Sequence, residues 1–160
     1  MTNIRVGMGY DVHQLDNNLP FLLGGVNIDY PKGIVAHSDG DIVFHALSDA
    51  LLGAAGLGDI GCFFPDTDIR YKNLDSSIIL SDVMLKLKNL SYHIVNIDLT
   101  IVLEKPKLQL IIPQIKESIS NYLKIKIDNI NIKATTSEGM SFVGEGKGIA
   151  CYAIVLIEKV

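Results

Sequence analysis

Alternation of apolar and polar positions predicts strands at both ends of the chain and in its middle. Successive side chains of an extended strand point to opposite faces, so a strand with one buried face shows a period of two. The clearest case is the segment in which Ile97, Leu99 and Ile101 alternate with neighbours such as Asp98. On this pattern, strands are predicted for residues 4–12, 21–28, 92–103, 130–134 and 149–158.

Apolar residues spaced three and four apart predict helices in the remaining segments. Ser38 is the predicted N-cap of the first helix, and Asp41 three residues later completes a partial capping box. Gly56 and Gly58 are expected to end this helix. Pro113 suits an early position in the last helix. The predicted helices cover residues 39–57, 74–90 and about 113–123.

The predicted order of elements is ββααβαββ, which favours an α+β fold. In such a fold the helices pack on one face of a mixed β-sheet and bury a common core. The chain has 160 residues and contains no linker or repeat, so residues 1–160 are expected to form a single domain. The order in which the strands pair is left open by these patterns.

Composition narrows the classes of function. The net charge is −4 and the sequence has no basic run, which argues against a nucleic-acid partner. No apolar run approaches the roughly 20 residues of a membrane span, and no secretion signal is recognised, so a cytoplasmic location is expected. Cys62 and Cys151 match no zinc or redox spacing. Both are expected to be reduced thiols, with Cys151 buried.

Asp11, His13 and His45 are the candidate metal ligands. Asp11 and His13 lie two apart on a predicted strand, so their side chains share one face, with Cα atoms roughly 6.6 Å apart. His45 belongs to the first turns of a predicted helix. One carboxylate and two imidazoles leave a fourth tetrahedral position for substrate, which is typical of catalytic zinc sites.

Two aspartates on the helix of His45 are candidate partners for its second ring nitrogen. Asp41 and Asp49 lie four residues before and after His45 and therefore share its helix face. Either carboxylate could accept the second imidazole proton and hold the ring orientation. A solvated helix face explains both residues equally well.

Three further segments carry weaker signals, each with an ordinary alternative. Thr135, Thr136, Ser137 and Glu138 at a strand end suit a phosphate-binding turn with a magnesium ligand, or a plain Ser/Thr turn. Residues 103–108 suit a nucleotide site formed by backbone groups, or a solvated basic turn. Residues 59–68 suit a lid over a site, or a mobile surface loop.

Taken together, these segments resemble the 2-C-methyl-D-erythritol 2,4-cyclodiphosphate synthase family of the non-mevalonate isoprenoid pathway. The matches occur in order along nearly the whole chain, which is far more specific than any one motif. They are GYDVH at 9–13, AHSDGD at 36–41, HA at 45–46, DALLGA at 49–54, GDIG at 58–61, FPDTD at 64–68, PK at 106–107, KATT at 133–136 with Glu138, and GIA at 148–150.

The resemblance implies a cytoplasmic lyase that acts on a cytidine-diphosphate-linked small molecule. The substrate would be 4-diphosphocytidyl-2-C-methyl-D-erythritol 2-phosphate, and the products the 2,4-cyclodiphosphate and CMP. It also implies a homotrimer with active sites between subunits. A zinc ion or similar transition metal, together with Mg²⁺ or Mn²⁺ on the diphosphate, would be the cofactors.

The resemblance also implies residue roles. Asp11, His13 and His45 would bind zinc, Glu138 the second metal, and His37 and Thr136 would stabilise the transition state. Further substrate contacts would come from Val12, Ser38, Asp59, Ile60, Gly61, Phe64, Pro65, Asp66, Thr67 and Asp68. The cytidine diphosphate would lie against Leu103, Glu104, Lys105, Pro106, Lys107, Leu108, Gln109 and Thr135, and Ser137 and Phe142 would also contact the substrate.

One segment departs from the family pattern. The family often has Arg-Gly-Glu where this chain has Glu145, Gly146 and Lys147. The two charges are exchanged, so an ion pair between them can persist in reverse, whereas Glu145 would repel a phosphate group. In the family this region lies near the trimer axis and can hold isoprenoid diphosphates, which the sequence therefore argues against here.

Two other functions would account for some of the same residues. A zinc-dependent phosphohydrolase would use water as the nucleophile and release linear phosphates. A non-catalytic trimer that senses isoprenoid diphosphates would bind lipid without turnover, and Glu145 argues against it. A purely structural zinc domain would require a fourth protein ligand, which the sequence does not offer.

Overall fold

The computed structural model describes residues 3–65 and 67–160. Its main sheet has five strands in the order β4-β1-β7-β5-β6. Only β5 and β6 are parallel, and the other neighbours are antiparallel, so the sheet is mixed as predicted. A two-stranded hairpin adds β2 and β3. The strands are β1 Ile4–Asn17, β2 Leu22–Leu23, β3 Val26–Asn27, β4 Lys32–Val35, β5 Tyr92–Val102, β6 Ile130–Thr135 and β7 Gly148–Lys159.

The helices cover one face of this sheet, which confirms the α+β prediction. They are α1 Ile42–Ala55, α2 Ile60–Phe63, α3 Ser76–Asn89, α4 Ile112–Leu123 and α5 Ser141–Gly144, with 3₁₀ turns at Ile69–Tyr71 and Ile127–Asn129. Along β7 the helix-facing side chains of Cys151, Ala153, Val155 and Ile157 are fully buried. The three long predicted helices are all observed, and each end lies within three residues of its predicted position.

Two glycines of β1 allow α1 to lie directly on the strand. An added Cβ at Gly9 would fall 1.9 Å from the carbonyl oxygen of Ala46, and one at Gly7 would fall 2.0 Å from that of Ala50. Neither contact is compatible with a side chain. Because Ala46 lies over Gly9, the preceding helical residue, His45, is brought beside Asp11 on the same strand.

Residues 21–28 were predicted as one strand, and that prediction was wrong. The segment folds into the β2–β3 hairpin because Gly24 and Gly25 both have positive φ, of 58° and 79°. Such values are readily adopted by glycine and reverse the chain. The prediction also missed β4 and placed the end of β1 at residue 12, five residues before the observed end.

Asp41, rather than Ser38, caps α1. Oδ1 of Asp41 accepts the N–H groups of Val43 and Phe44, at 3.2 and 3.1 Å. The same carboxylate also accepts the N–H groups of Gly24 and Gly25, at 2.8 and 2.6 Å. Ser38 instead accepts a hydrogen bond from Gly40 within the preceding turn. The predicted capping box is thus replaced by one buried carboxylate that joins α1 to the β2–β3 hairpin.

The part of the helix-free sheet surface that β1 and β7 form is apolar and exposed, and is called the open face below. Tyr10 and Tyr152 pack against each other on it, with ring centroids 4.9 Å apart and ring planes tilted by 45°. Such a contiguous apolar surface is typical of an interface. The exposed large side chains of the open face are Ile4, Val6, Met8, Tyr10, Val12, Tyr152 and Ile154.

Two smaller expectations can be compared with the described residues. Neither of the described segments, 3–65 and 67–160, contains a helix with the length and apolar character to cross a membrane. Cys62 is exposed and Cys151 buried, and both are free thiols. Burial raises the pKa of Cys151, so this thiol stays protonated and unreactive.

Candidate metal centre and substrate cavity

Asp11, His13 and His45 form a compact cluster. One ligand atom from each residue lies within 4.8 Å of the other two. Nδ1 of His45 is 3.2 Å from Oδ2 of Asp11, and Nδ1 of His13 is 3.7 Å from the same oxygen. Asp11 and His13 face the helix side of β1, while His45 lies in the first turn of α1. The predicted metal ligands are thus brought together.

The hydrogen bonding of His13 shows which of its two ring nitrogens is available to a metal ion. Nδ1 of His13 lies 2.6 Å from the carbonyl oxygen of Val12. Because a carbonyl only accepts hydrogen bonds, Nδ1 carries the proton and the neutral ring has its lone pair on Nε2. That Nε2 atom is buried and has no hydrogen-bond partner among the described residues. A buried ring nitrogen without a partner is what a metal ligand requires.

Ser76, and not Asp41 or Asp49, contacts the second nitrogen of His45. Its Oγ lies 2.8 Å from Nε2 of His45, and it also donates a short hydrogen bond to Oδ1 of Asp39. Both candidate partners predicted from the sequence were wrong. Asp41 caps α1, and Asp49 accepts the N–H of Ile60 at 2.8 Å. These two carboxylates are satisfied by backbone groups of neighbouring segments.

Burial and the local charges together shift two pKa values at the site. Burial alone would lower the pKa of His45, but the hydrogen bond with Asp11 and the surrounding carboxylates outweigh it, and the pKa is raised. Burial raises the pKa of Asp49, against the opposing effect of the Ile60 N–H. The cluster therefore attracts positive charge, either a proton on His45 or a metal ion.

A cavity of about 620 Å³ opens beside the cluster, and we call it the metal cavity. Asp68, one of its lining residues, holds Arg70 in a two-pronged ion pair with a closest distance of 2.6 Å, and this pair lowers the pKa of Asp68. Besides the three cluster residues, the predicted substrate-binding residues that line the cavity are His37, Ser38, Ile60, Gly61, Phe64, Thr67 and Asp68.

Other predicted residues of this group lie elsewhere. Val12 is exposed on the open face, because it alternates with Asp11 and His13 along β1. Asp59 caps α2 by accepting the N–H of Cys62 at 3.1 Å. Pro65 directly follows Phe64 but does not line the metal cavity. Asp66, which was also predicted to contact the substrate, lies outside the described residues.

A second group of predicted residues meets at the ends of β5 and β6. We call residues 103–109 and 135–142 the β5–β6 rim. Because β5 and β6 are parallel, their carboxyl ends lie at the same edge of the sheet. The N–H of Leu103 donates to the carbonyl of Thr135, at 2.9 Å. The N–H of Ser137 donates to Oε1 of Glu104, at 2.8 Å.

The exposure of the side chains in the β5–β6 rim indicates which residues could contact a ligand through the side chain and which only through the backbone. Leu103 and Leu108 are buried, at 5% and 3% exposure, so a ligand at the rim can reach only their backbone groups. Thr135, Thr136 and Glu138 are exposed, and Phe142 is 41% exposed. The other predicted contacts of the rim are Lys105, Pro106, Lys107 and Gln109.

The metal cavity and the β5–β6 rim are separate within one chain. Asp11 pairs with Cys151, Cys151 with Ile101, and Ile101 with Ala134. Strands β1 and β6 are therefore three spacings apart, or about 14 Å. Among the residues that the structure describes, no rim residue lines the metal cavity.

The exchanged charges near residue 145 do form an ion pair. Nζ of Lys147 contacts Oε2 of Glu145, as expected from their reversed order. Lys32 adds a hydrogen bond to the carbonyl of Gly146, at 3.0 Å. Lys147 is thereby partly neutralised, and Glu145 remains an acidic group at this position.

Sequence reasoning missed several residues of the site. Ser76 contacts both His45 and Asp39, yet its only signal in the sequence was its place near the start of a predicted helix. Tyr71 and Lys72 line the metal cavity from a loop without periodicity. Such contacts depend on how distant segments pack, and no short motif records them.

The described residues fit a zinc ion. One carboxylate, one orphaned imidazole nitrogen and a second imidazole whose other nitrogen is hydrogen-bonded are a typical set for catalytic zinc. The cluster lies at a cavity, so further ligands could come from a bound molecule. The donor set also suits other divalent transition metals.

Comparison with known proteins agrees with this geometry. The model of the YgbB family matches residues 4–158. The chain is 53% identical to the 2-C-methyl-D-erythritol 2,4-cyclodiphosphate synthase of Methylobacillus flagellatus over 156 residues, or 98% of each protein. The corresponding synthase of Haemophilus ducreyi is 51% identical, again over 98% of each.

A solved structure extends the similarity to the whole fold. The bifunctional IspDF of Campylobacter jejuni superposes with a TM-score of 0.95 at 39% identity. It covers 100% of this chain, which spans 43% of that longer protein.

Proposed function

The chain belongs to the YgbB family, and we propose that it converts 4-diphosphocytidyl-2-C-methyl-D-erythritol 2-phosphate into 2-C-methyl-D-erythritol 2,4-cyclodiphosphate and CMP. This is a step of non-mevalonate isoprenoid precursor biosynthesis, carried out by a phosphorus–oxygen lyase. The Asp11, His13 and His45 cluster beside the metal cavity is the observation that carries the proposal. It stands in a chain about half identical to named synthases over nearly its full length.

The reaction is an internal phosphoryl transfer. An oxygen of the 2-phosphate attacks the β-phosphorus and forms the new P–O bond. The bond from the β-phosphorus to the oxygen bridging to the α-phosphate breaks, and CMP leaves with that oxygen. No side-chain nucleophile is needed, since phosphoryl transfer depends on placement and charge neutralisation.

Repulsion between the two anionic groups is the main obstacle. Two unit charges 4 Å apart repel by about 1 kcal/mol in water but about 4 kcal/mol at an effective dielectric constant of 20. A closed site therefore needs cations beside the phosphates. Holding the 2-phosphate in line with the β-phosphorus can contribute on the order of 7 kcal/mol.

Two sets of residues would hold these cations. Asp11, Nε2 of His13 and Nδ1 of His45 would bind zinc, and Glu138 would bind Mg²⁺ or Mn²⁺ with the diphosphate. When bound, such ions polarise phosphoryl oxygens and offset developing negative charge. Asp11 is already oriented by the N–H of Val12, which donates to its Oδ1 at 2.9 Å.

The remaining residues would position the substrate. His37 and Thr136 would stabilise the transition state, and the lining of the metal cavity would contact the erythritol and its phosphate. The β5–β6 rim would hold the cytidine diphosphate through backbone groups and Thr135. In support, a solved structure of IspF from Plasmodium falciparum, 35% identical over 99% of this chain and with a TM-score of 0.87, is a complex with CDP.

A homotrimer with active sites between neighbouring subunits would join the two halves of the site. Within one chain, the metal cavity and the β5–β6 rim are about three strands apart, and the open face leaves large apolar side chains exposed. Packing of open faces against one another would bury those side chains and place the rim of one copy beside the metal cavity of the next.

Complementation between two inactive variants tests the shared site. His45→Ala disables the metal cavity and Glu138→Ala disables the rim, so each homotrimer should be inactive. Co-expressed in equal amounts, the chains should form mixed trimers in which about a quarter of the sites combine two intact halves. Activity equal to the sum of the separate variants would mean that the site lies within one chain.

Product analysis tests the reaction itself. The protein is incubated with the cytidine-linked substrate, Zn²⁺ and Mg²⁺, and the products are followed by phosphorus NMR, with EDTA as the control. We expect the cyclic diphosphate and CMP, lost with EDTA and restored by metal. Linear phosphates would instead identify a phosphohydrolase.

Three broader expectations complete the proposal. Residues 1–160 would act as one domain, since the core is continuous from β1 to β7. The protein would work in the cytoplasm. Isoprenoid diphosphates would bind poorly near the trimer axis, because Glu145 places a carboxylate there and its ion pair with Lys147 occupies the nearest cation.

A further inference from the structure

Ser76 links the candidate metal ligand His45 to a carboxylate outside the metal cluster. Its Oγ is 2.8 Å from Nε2 of His45 and also contacts Oδ1 of Asp39. The backbone N–H of Ser76 donates to Oδ2 of the same carboxylate, at 2.9 Å. Ser76 is completely buried, so water does not compete for these bonds.

The direction of each hydrogen bond follows from the chemistry of the groups. A carboxylate only accepts, so the single proton of the Ser76 hydroxyl points to Asp39. The lone pair of Oγ is then directed at His45, and Nε2 of His45 must be the donor. In the neutral ring this leaves the lone pair on Nδ1, the nitrogen that faces Asp11 at 3.2 Å.

We propose that Ser76 and Asp39 are positioning residues that keep the proton of His45 on Nε2 and so reserve Nδ1 for the metal ion. This inference rests on the metal site of the proposed function. The three residues come from α1, from the first position of α3 and from the turn before α1. The packing of α3 against α1 thereby sets the ligand-donating nitrogen of His45.

The hydrogen bonds of the Ser76 hydroxyl with His45 and Asp39 are consistent with its burial at the start of α3. The hydroxyl lies at the first position of α3, whose N-cap is supplied by Asp75 through the N–H of Ser77. Ser76 is thus not needed to cap the helix with its side chain. Its hydroxyl is directed inward to His45 and Asp39 instead.

Nitrogen NMR of the histidine rings tests the proposal directly, without any turnover. In metal-free and in zinc-loaded wild-type protein, we expect a proton on Nε2 of His45 that exchanges slowly with solvent. In the zinc-loaded protein, Nδ1 should be the coordinated atom. A zinc-loaded protein with the proton on Nδ1 and coordination through Nε2 would overturn the proposal.

Variants then test the two positioning residues. Ser76→Ala removes the acceptor for Nε2–H, and zinc affinity, measured by competition with a chelator, should fall about 10-fold to 100-fold. Asp39→Asn introduces an amide that can donate to Ser76 and reverse the hydrogen bonds, so it should also mix the two ring tautomers. Unchanged affinity and an unchanged tautomer in both would overturn the proposal.

Two serines provide matched controls. Ser77→Ala removes a hydroxyl from the same helical turn. Ser48→Ala removes one that is buried and has no hydrogen-bond partner among the described residues. Both should keep wild-type affinity and the Nε2 proton. If Ser76→Ala does not fold, the wild-type and Asp39→Asn spectra decide the matter.

These readouts separate the proposal from the proposed function. A protein that binds zinc through Nδ1 but releases linear phosphates supports the positioning role and contradicts the cyclisation. A protein that cyclises its substrate while His45 binds through Nε2 does the reverse.

Discussion

Nδ1 of His45 lies 3.2 Å from Oδ2 of Asp11, although 34 residues separate them along the chain. The contact exists because α1 lies directly on β1, where Gly9 leaves no side chain against Ala46. With His13, these two residues offer three donors to one ion. The catalytic hypothesis can therefore be tested first at His45.

His45→Ala removes one of the three ligands, so most bound zinc and most activity should be lost. Metal content by mass spectrometry and turnover by phosphorus NMR measure both effects. His93→Ala is the matched control, because His93 is exposed on β5 and lies 3.6 Å from Glu158. A fully active His45→Ala protein with one zinc per chain would refute the site.

Glu138→Gln should separate the two metals. The amide is a weaker ligand for Mg²⁺ than the carboxylate, so the Mg²⁺ concentration for half-maximal turnover should rise while bound zinc stays unchanged. Glu138 lies on the β5–β6 rim and not in the metal cavity, which is why the two effects should be independent. Loss of zinc from this variant would contradict the division.

Asp41→Ala should lower the free energy of unfolding by about 3–7 kcal/mol. The variant loses the α1 cap, which contributes about 1 kcal/mol. It also leaves the N–H groups of Gly24 and Gly25 without an acceptor, which costs roughly 1–3 kcal/mol for each group. Urea unfolding followed by circular dichroism measures the change. Asp75→Ala is the comparison, since Asp75 caps the equally long α3 from an exposed position and should cost only about 1 kcal/mol.

Asp49→Asn should stabilise the metal-free protein at pH 7. Burial raises the pKa of Asp49 in the folded state, so its ionised form opposes folding at pH values above that raised pKa. The asparagine oxygen can still accept the Ile60 N–H. The gain should shrink as the pH falls through the raised pKa and vanish below the ordinary aspartate value of about 3.9, where both states are protonated.

Urea unfolding in the presence of a chelator, at pH 7 and at successively lower pH, measures this gain. The exposed Asp128 provides the control, and Asp128→Asn should leave stability nearly unchanged. A less stable Asp49→Asn protein at pH 7 would show that the carboxylate charge is needed for folding.

Met8→Glu should break the proposed homotrimer. Met8 is 63% exposed on the open face, and a carboxylate buried there between subunits would cost several kcal/mol. Light scattering after gel filtration should then report a smaller particle than for the wild type. Leu85→Glu alters a residue of α3 with 55% exposure outside the open face, and should not change the mass. A Met8→Glu protein of wild-type mass would contradict the proposed interface.

Periodicity predicted the long elements because their burial repeats along the chain. The alternation of Ile97, Leu99 and Ile101 has a single solution on a strand with one buried face, and β5 is observed at Tyr92–Val102. The same reasoning failed at residues 21–28. There the positive φ values of Gly24 and Gly25 outweighed the apolar pattern and turned the chain.

In the candidate site, too, one feature was predicted from local geometry and another was not. The i, i+2 spacing of Asp11 and His13 follows from strand geometry and was predicted correctly. The partner of His45 was not, because helix geometry offers Asp41 and Asp49 while the packing of α3 supplies Ser76. A contact across 31 residues depends on where two helices cross, which no local pattern encodes.

By itself, the sequence determined the types of the elements, the mixed α+β class, the three metal-ligand candidates and the family. The elements and the ligand candidates follow from local geometry, and the family follows from short motifs that match in order along the chain. Only the tertiary structure decided that Asp41 joins a helix to a hairpin, that Ser76 and Asp39 hold His45, and that the metal cavity and the β5–β6 rim lie apart within one chain. Those relationships arise from packing between distant segments, whose free energy depends on the whole fold at once.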